Sequence, residues 1–433
     1  MYRYYLLSFL WIFLFSASKA QSDSSEKWDS FTQSFTKEYS ALGLRGLSLS
    51  FVMNLDQIAS PETLEKEEAF FQRMKQEIAA FDTSDFTTTQ LLEYHLLRYQ
   101  ISLHQERLTL EQAWAQNPPK GFSHESLAYL PKGKDWYTYF LKSWVDIQVD
   151  PDSLYVFGEE QVARAKKAMK DIQIASGMDS LSFQDHLADE SFFFHSAEEA
   201  ESAFQQFHTE SFPILQKHFP YLDKVPPIKI QEGTDPNLAK VPGFYRNDTF
   251  FFNFFDKPYN KRQLGWLYMH EALPGHHYER SLRASLGQTD LQNLFWTPCY
   301  AEGWAAYIEE IAILIQAYRD VYEEYGKWEW DLIRSVRVML DVGLNYYGWS
   351  DEKAFTVWQT YIQGIDEIGE REIARMKRWP AQVITYKYGA DKLLTLSQKY
   401  ENLHDYHQAL MDVGPLPFSV LDELLDKGIL NDQ

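Results

Sequence analysis

Apolar positions recur with a helical period through the first half of the chain. One stripe comprises Phe70, Phe71, Met74, Ile78 and Phe81, and similar stripes lie over 91–99 and 136–147. Side chains three and four positions apart share one face of a helix, so each stripe indicates an amphipathic helix. Ser60-Pro61 predicts a helix start, because Ser caps the N-terminus and Pro fits the first helical position. No repeat of fixed period is present, which argues against a solenoid.

The pattern changes between residues 213 and 258, where prolines are frequent. Two short apolar runs, 228–232 and 250–254, are bounded by turn-forming residues and predict strands of a small β-sheet over about 226–256. Helical runs return around 261–273, 300–345, 352–373 and 389–411, and Ser419 is predicted to cap a last helix ending at Leu425. The fold class is therefore mainly α with a small β-sheet, divided into a helical region 21–212 and a second region 213–433.

Residues 1–20 have the pattern of a secretory signal peptide. Arg3 supplies the positive charge, residues 6–15 form an apolar run, and Ser18-Lys19-Ala20 is a small-x-small cleavage site. The run is shorter than a typical membrane span, although a retained anchor is the alternative. We expect cleavage after Ala20 and a periplasmic or secreted protein without stable membrane insertion.

Composition narrows the possible partners and metal ligands. Lys and Arg number 41 against 62 Asp and Glu, for a formal net charge of −21, which argues against a nucleic-acid partner. An aromatic content of 16% argues against a disordered chain. Cys299 is the single cysteine, so disulfides and cysteine-based zinc clusters are excluded, and any metal ligands are expected to be His, Asp or Glu.

The strongest chemical signal is the segment Tyr-Met-His-Glu-Ala-Leu-Pro-Gly-His-His at residues 268–277. A His-Glu pair followed by another His is typical of zinc hydrolases. In such sites the histidines bind the metal, and the glutamate takes a proton from the attacking water. His270 is therefore a predicted ligand, and Glu271 is the predicted general base.

The second histidine of this segment has an unusual spacing. In a straight helix His276 would lie about 9 Å from His270 along the axis and on another face, and His277 about 10.5 Å away. Neither could then share one metal with His270. Pro274-Gly275 predicts a break in the helix, which brings His276 back towards His270. His277 remains the alternative second ligand.

A third ligand is predicted at Glu302, in the apolar run Tyr-Ala-Glu-Gly-Trp-Ala at 300–305. An isolated carboxylate on an apolar helix face is costly unless it is paired or bound to a metal. His270, His276 and Glu302 would form a two-histidine, one-glutamate site for a zinc ion (Zn2+).

Several motifs together resemble one bacterial family. The residues HEALPGHH at 270–277, EGWA at 302–305, DVG at 341–343 with GW at 348–349, PAQ at 380–382 and YKYG at 386–389 are similar to the domain-of-unknown-function 885 family. The match covers roughly residues 240–425. It implies a mostly helical, zincin-like fold around a kinked active-site helix, and a metallopeptidase activity.

The resemblance suggests further site residues, each with a structural alternative. Tyr386 is a candidate for stabilising an oxyanion, or else a buried structural tyrosine. Asp341 is a candidate for orienting a ligand imidazole, or a capping residue. Lys387 is a candidate for binding a substrate carboxylate, although a surface position is the stronger expectation. Tyr245 either lines the cleft or packs in the sheet.

Asn345 is a departure from the family pattern, which usually has a histidine at this position. An asparagine can donate a hydrogen bond to an oxyanion but cannot exchange a proton. Activity or specificity is therefore expected to differ from that of other members.

These observations predict an exported zinc metallopeptidase that acts on a peptide or small amide, with the helices of 21–212 covering the cleft. One alternative is a zinc hydrolase of non-peptide amides or esters, which has the same ligands. Another is a non-catalytic exported binding protein, which Asn345 favours and the retained Glu271 disfavours.

Overall fold

The computed structural model describes residues 5–119, 126–255 and 258–426, with the backbone alone for 5–23. The predicted signal peptide stays a prediction, because residues 1–4 lie outside the described residues and residues 5–20 are seen only as helical backbone. Among the described residues, none of the helices is both long and apolar enough to cross a membrane.

The first half of the chain is helical, as its periodicity predicts. The helices are α1 (Tyr5–Leu42), α2 (Phe51–Asp56), α3 (Pro61–Ala79), α4 (Thr88–Gln116), α5 (Gly133–Trp144), α6 (Pro151–Ala175), α7 (Ser180–Leu187) and α8 (Ala197–Leu215). The predicted start of α3 is confirmed, since the Ser60 hydroxyl accepts a hydrogen bond from the Thr63 amide at 3.4 Å. Helix α8 continues past residue 212 and includes Pro213.

The predicted small sheet is confirmed and has a third strand. It consists of β2 (Lys229–Glu232), β3 (Gly243–Arg246) and β4 (Thr249–Phe252), with β4 in the centre, parallel to β2 and antiparallel to β3. Two further short strands, β1 (Phe193–Phe194) and β5 (Tyr259–Asn260), pair antiparallel. Phe250 and Phe252 of β4 are buried against Phe204 of α8, with ring centroids 4.9 and 5.5 Å from it. The sheet is therefore held against the helices by its aromatic face.

The helical runs predicted after residue 261 are present but interrupted. The helices are α9 (Leu264–Glu271), α10 (His276–Ser285), α11 (Asp290–Asn293), α12 (Pro298–Leu314), α13 (Val321–Asn345), α14 (Asp351–Tyr361), α15 (Asp366–Arg378), α16 (Ile384–Ser397), α17 (Leu403–Val413) and α18 (Phe418–Asp426). The expectation that Ser419 caps the last helix is wrong, because α18 already begins at Phe418. The Ser419 amide and hydroxyl instead donate hydrogen bonds to buried Asp146, at 2.9 and 3.1 Å.

One hydrophobic cluster extends from Trp28 to Leu425 and joins the two halves of the chain. Within it α12 and α16 pack closely through glycines, since a Cβ added at Gly303 would lie 2.5 Å from the Cα of Gly389. Only glycine allows this approach of the two backbones. The contact brings Glu302 and Tyr386 to the wall of one pocket.

Candidate metal centre

The helix is interrupted between the end of α9 at Glu271 and the start of α10 at His276, as Pro274-Gly275 predicts. Gly275 lies directly against the backbone, and a Cβ there would be 2.0 Å from the His270 carbonyl oxygen. The indole Nε1 of Trp304 donates a 2.9 Å hydrogen bond to the Pro274 carbonyl, which ties the break to α12. As a result the rings of His270 and His276 are neighbours, with centroids 4.9 Å apart and planes nearly perpendicular.

Three potential metal ligands converge at this break. Donor atoms of His270, Glu271 and His276 all lie within 4.8 Å of one another. Glu302 approaches from α12, and its carboxylate oxygen is 3.5 Å from Nε2 of His276. The four side chains line a pocket of about 1220 Å³, so this donor cluster is open to a small ligand.

His277, the alternative second ligand, points away from this cluster and is fully buried. Its Nε2 lies 2.6 Å from the Pro226 carbonyl oxygen, and its Nδ1 lies 3.1 Å from the Tyr245 hydroxyl. Both ring nitrogens are therefore engaged in holding α10 to the sheet region. His276, and not His277, is the histidine that the structure places beside His270.

His270 is oriented by a pair of residues that the sequence analysis did not single out. Its Nδ1 is 2.7 Å from Oε1 of Glu309, and the other Glu309 oxygen accepts a 2.5 Å hydrogen bond from Arg334. This contact holds the ring and leaves Nε2 as the nitrogen free to bind a ligand. Glu309 follows Glu302 by seven positions, which is two helical turns, so the two side chains lie on the same face of α12. This spacing could have identified Glu309 from the sequence.

The electrostatics of the two pocket carboxylates differ. Burial raises the pKa of Glu271, against the opposing charges of the two histidines. Burial also tends to raise the pKa of Glu302, but the contact with His276 has the larger effect, and the pKa is lowered. Burial would lower the pKa of His276, but Glu302 and Glu271 raise it to about 9. The cluster thus favours positive charge, with Glu302 as a stable anion and Glu271 as the better proton acceptor.

Two tyrosines predicted for the site line the pocket. The ring of Tyr386 stacks near His270, with centroids 6.3 Å apart, and its hydroxyl accepts a 3.3 Å hydrogen bond from Gln382. Tyr245 lies on β3, where its hydroxyl donates to Asp248 at 3.2 Å and contacts His277. Tyr245 therefore both lines the pocket and connects the sheet to α10.

Asp341 and Asn345 lie in the core and are not in the pocket wall. Asp341 accepts hydrogen bonds from the Tyr137 hydroxyl at 2.7 Å and the Ala381 amide at 2.9 Å. Asn345 donates to the backbone carbonyls of Asp341 and Met376. These contacts join α13 to the segments around it, and the carboxylate that contacts the His270 imidazole belongs to Glu309.

The expectation of a surface position for Lys387 is wrong. Its ammonium group is buried and lies 2.8 Å from both carboxylate oxygens of Asp331. Glu310 is 3.6 Å away, and because both carboxylates also pair with buried Lys327, the two ammonium groups and two carboxylates compensate one another. The helical period alone did not reveal this pairing, because Asp331 comes from a different helix, α13.

A family model described as a bacterial protein of unknown function, DUF885, matches residues 115–425. The chain belongs to the DUF885 family. The match includes the donor cluster, Glu309 and every helix from α5 to α17. Among curated proteins, none matches the chain.

Two solved structures show the same fold as this DUF885 protein. One, described as a proposed lipoprotein from Colwellia psychrerythraea, is 23% identical, with a TM-score of 0.64 over 84% of this chain and 67% of that chain. The other, a proposed lipoprotein of unknown function from Shewanella oneidensis, is 12% identical, with a TM-score of 0.67 over 92% and 99% of the two chains. At these identities the likeness concerns the fold alone.

Proposed function

We propose that this DUF885 protein is an exported, zinc-dependent hydrolase of the zincin type, and that it cleaves peptide bonds. The convergence of His270, Glu271 and His276 donor atoms within 4.8 Å of one another, in the wall of a large pocket, carries the proposal. Export is supported by the signal-peptide pattern of residues 1–20 and by two structural neighbours that are described as proposed lipoproteins.

The donor set fits a zinc ion. Two imidazoles and one carboxylate are a common ligand set of catalytic zinc, and the carboxylates already favour positive charge at His276. We assign His270, His276 and Glu302 as the ligands, because Glu302 lies 3.5 Å from Nε2 of His276 and Glu271 is then left as the base, while Glu309 holds the His270 ring. Zinc bound there would supply a Lewis acid and lower the pKa of a water molecule.

The remaining side chains supply proton transfer and orientation. Glu271 directly follows His270, lines the pocket and has a raised pKa, so it can accept the proton of the attacking water and pass it to the leaving amine. Tyr386 lines the same wall, and its hydroxyl is a candidate donor to the oxygen of the cleaved carbonyl. We assign no chemical role to Asn345, Asp341 or Lys387, because each is buried outside the pocket wall.

The first test is the zinc content of the purified protein, measured by elemental mass spectrometry. We expect about one zinc per chain in the parent, and a loss of zinc in His276→Ala and Glu302→Ala. His404→Ala is the matched control, since this histidine is exposed and lies outside the pocket wall. No zinc in the parent, even after zinc is supplied, would show that the hydrolase proposal is wrong.

The second test separates binding from chemistry. Glu271→Gln is expected to retain zinc and to cleave a peptide library roughly 100-fold to 10000-fold more slowly than the parent. A variant with normal zinc and a parental rate would refute the assignment of the base. Turnover of small amides or esters with no cleavage of peptides would favour a non-peptide hydrolase.

A further inference from the structure

One part of the pocket is strongly basic in an otherwise acidic protein. The side chains lining the pocket include four glutamates and seven arginines; Arg334 is paired with Glu309 behind the wall, so an excess of two positive charges remains, whereas the whole chain has a formal charge of −21. The arginines come from three helices and are Arg280, Arg283, Arg334, Arg337, Arg371, Arg375 and Arg378. A concave surface with an excess of one sign of charge concentrates ligands of the opposite sign.

Three of these residues, Arg337, Arg371 and Arg375, surround a single buried carboxylate and are called the arginine group below. Glu372 accepts hydrogen bonds from Arg337 at 3.2 Å, from Arg371 at 3.0 Å and from Arg375 at 3.5 Å. One carboxylate neutralises only one of the three guanidinium groups. The arginine group therefore has two positive charges that Glu372 does not balance.

Hydrogen bonding within the arginine group is also incomplete. Arg337 is 3% exposed, and its Nε atom, like that of Arg375, is buried without a hydrogen-bond partner in the described part of the chain. Incomplete pairing of a buried guanidinium costs free energy, and an anion bound beside it would offset part of this cost. Arg337 and Arg375 lie in the wall of the proposed active-site pocket, and this location points to an anion bound there.

The arginine group is close to the donor cluster. The ring of Tyr386 is near both, 6.3 Å from the His270 ring and 5.3 Å from the guanidinium carbon of Arg337. These two distances limit the separation of imidazole and guanidinium to less than about 12 Å, whereas an extended peptide advances about 3.3 to 3.6 Å per residue. A group bound by the arginines would lie within three residues or so of a peptide bond held at the donor cluster.

We propose that the arginine group binds a carboxylate of the substrate, so that the protein acts on short peptides near a carboxylate, either the free C-terminus or an acidic side chain. Guanidinium groups match a carboxylate in both charge and geometry, and their hydrogen bonds to it are charge-assisted. This inference rests on the proposed peptidase function for its substrate class. The carboxylate subsite itself is testable by binding alone.

The experiment measures binding of fluorescently labelled peptides to zinc-supplied Glu271→Gln protein, in which slow turnover does not disturb the measurement. Peptides that differ only in a C-terminal acid or amide are compared by fluorescence anisotropy. Amidated peptides with Glu or Gln near the C-terminus form the second arm. We expect the acid, or the Glu-containing amide, to bind roughly 10-fold to 100-fold more tightly than its neutral partner. The arm that shows the difference identifies the source of the carboxylate.

A charge-removing variant links this preference to the arginine group. Arg375→Gln is expected to weaken the preference for the charged peptides, because it removes one of the two positive charges that Glu372 does not balance. Lys377→Gln, on the same helix but paired with Asp351 outside the pocket wall, is expected to retain it. Equal binding of charged and neutral peptides by protein with intact Arg375 would overturn the proposal, and this comparison needs no folded arginine variant.

Cleavage by the parent protein distinguishes the two proposals. A carboxylate preference without any peptide cleavage would support the subsite and contradict the peptidase function. Cleavage without a preference would support the peptidase function and contradict the subsite.

Discussion

Replacing buried Asp341 by asparagine should change how stability depends on pH. Burial raises the pKa of this carboxyl from 3.8 to about 7, since one oxygen has no partner in the described structure and burial outweighs the hydrogen bonds to the other oxygen and the charge of Arg375. The folded protein then holds a proton that the unfolded chain has released. The stabilisation linked to that proton is complete below pH 3.8 and is lost as the pH rises to about 7.

The size of this effect follows from the shift. At about 1.36 kcal/mol per pKa unit, the change from 3.8 to about 7 corresponds to about 4 kcal/mol in full, of which roughly 3 kcal/mol falls between pH 5 and pH 8. Asparagine does not titrate, and its carbonyl can still accept from Tyr137 and Ala381. The free energy of unfolding of Asp341→Asn, relative to the parent, should therefore increase by roughly 3 kcal/mol from pH 5 to pH 8.

Urea unfolding followed by tryptophan fluorescence at both pH values measures this difference. Taking the difference between two proteins cancels the titration of all other groups. Asp290→Asn, at an exposed position, is the control and should show no comparable change. A difference between parent and Asp341→Asn that is the same at pH 5 and pH 8 would refute the reasoning.

Three further predictions concern the donor cluster. Glu309→Gln should weaken zinc binding about 10-fold to 100-fold, because a neutral amide replaces the carboxylate that accepts a hydrogen bond from Nδ1 of His270. Chelator competition would measure the affinity, and an unchanged affinity would contradict this role of Glu309. Gly275→Ala should abolish zinc binding, because its Cβ would lie 2.0 Å from the His270 carbonyl oxygen, whereas Gly46→Ala has no atom within 4 Å of its Cβ and should bind zinc normally. Gly303→Ala should lower the thermal midpoint and the zinc content together, since its Cβ would meet Gly389 at 2.5 Å and push α12 away from α16; a stable variant with full zinc would show that the close helix contact is unimportant.

Much of the local structure is determined by the sequence, because local signals act over a few residues. The helical stripes, the Ser60-Pro61 start and the two predicted strands depend on periodicity, capping and backbone restrictions, and all are present. Pro274 and Gly275 likewise predict the break after His270, since one removes a backbone donor and the other allows close backbone contact. The proposal of metal chemistry at the His-Glu pair likewise comes from the residue types alone and does not depend on the fold.

The tertiary structure decided which of the candidate side chains lie in the donor cluster and which are buried elsewhere. The sequence favours His276 but keeps His277 as an alternative, and the contacts of His277 with Pro226 and Tyr245, distant in the chain, turn it away from the cluster. Lys387 is buried because Asp331 on another helix compensates its charge. The arginine group forms because α13 and α15 meet around Glu372. Burial and charge pairing between distant segments depend on how helices pack, and a helical period shows only which faces pack.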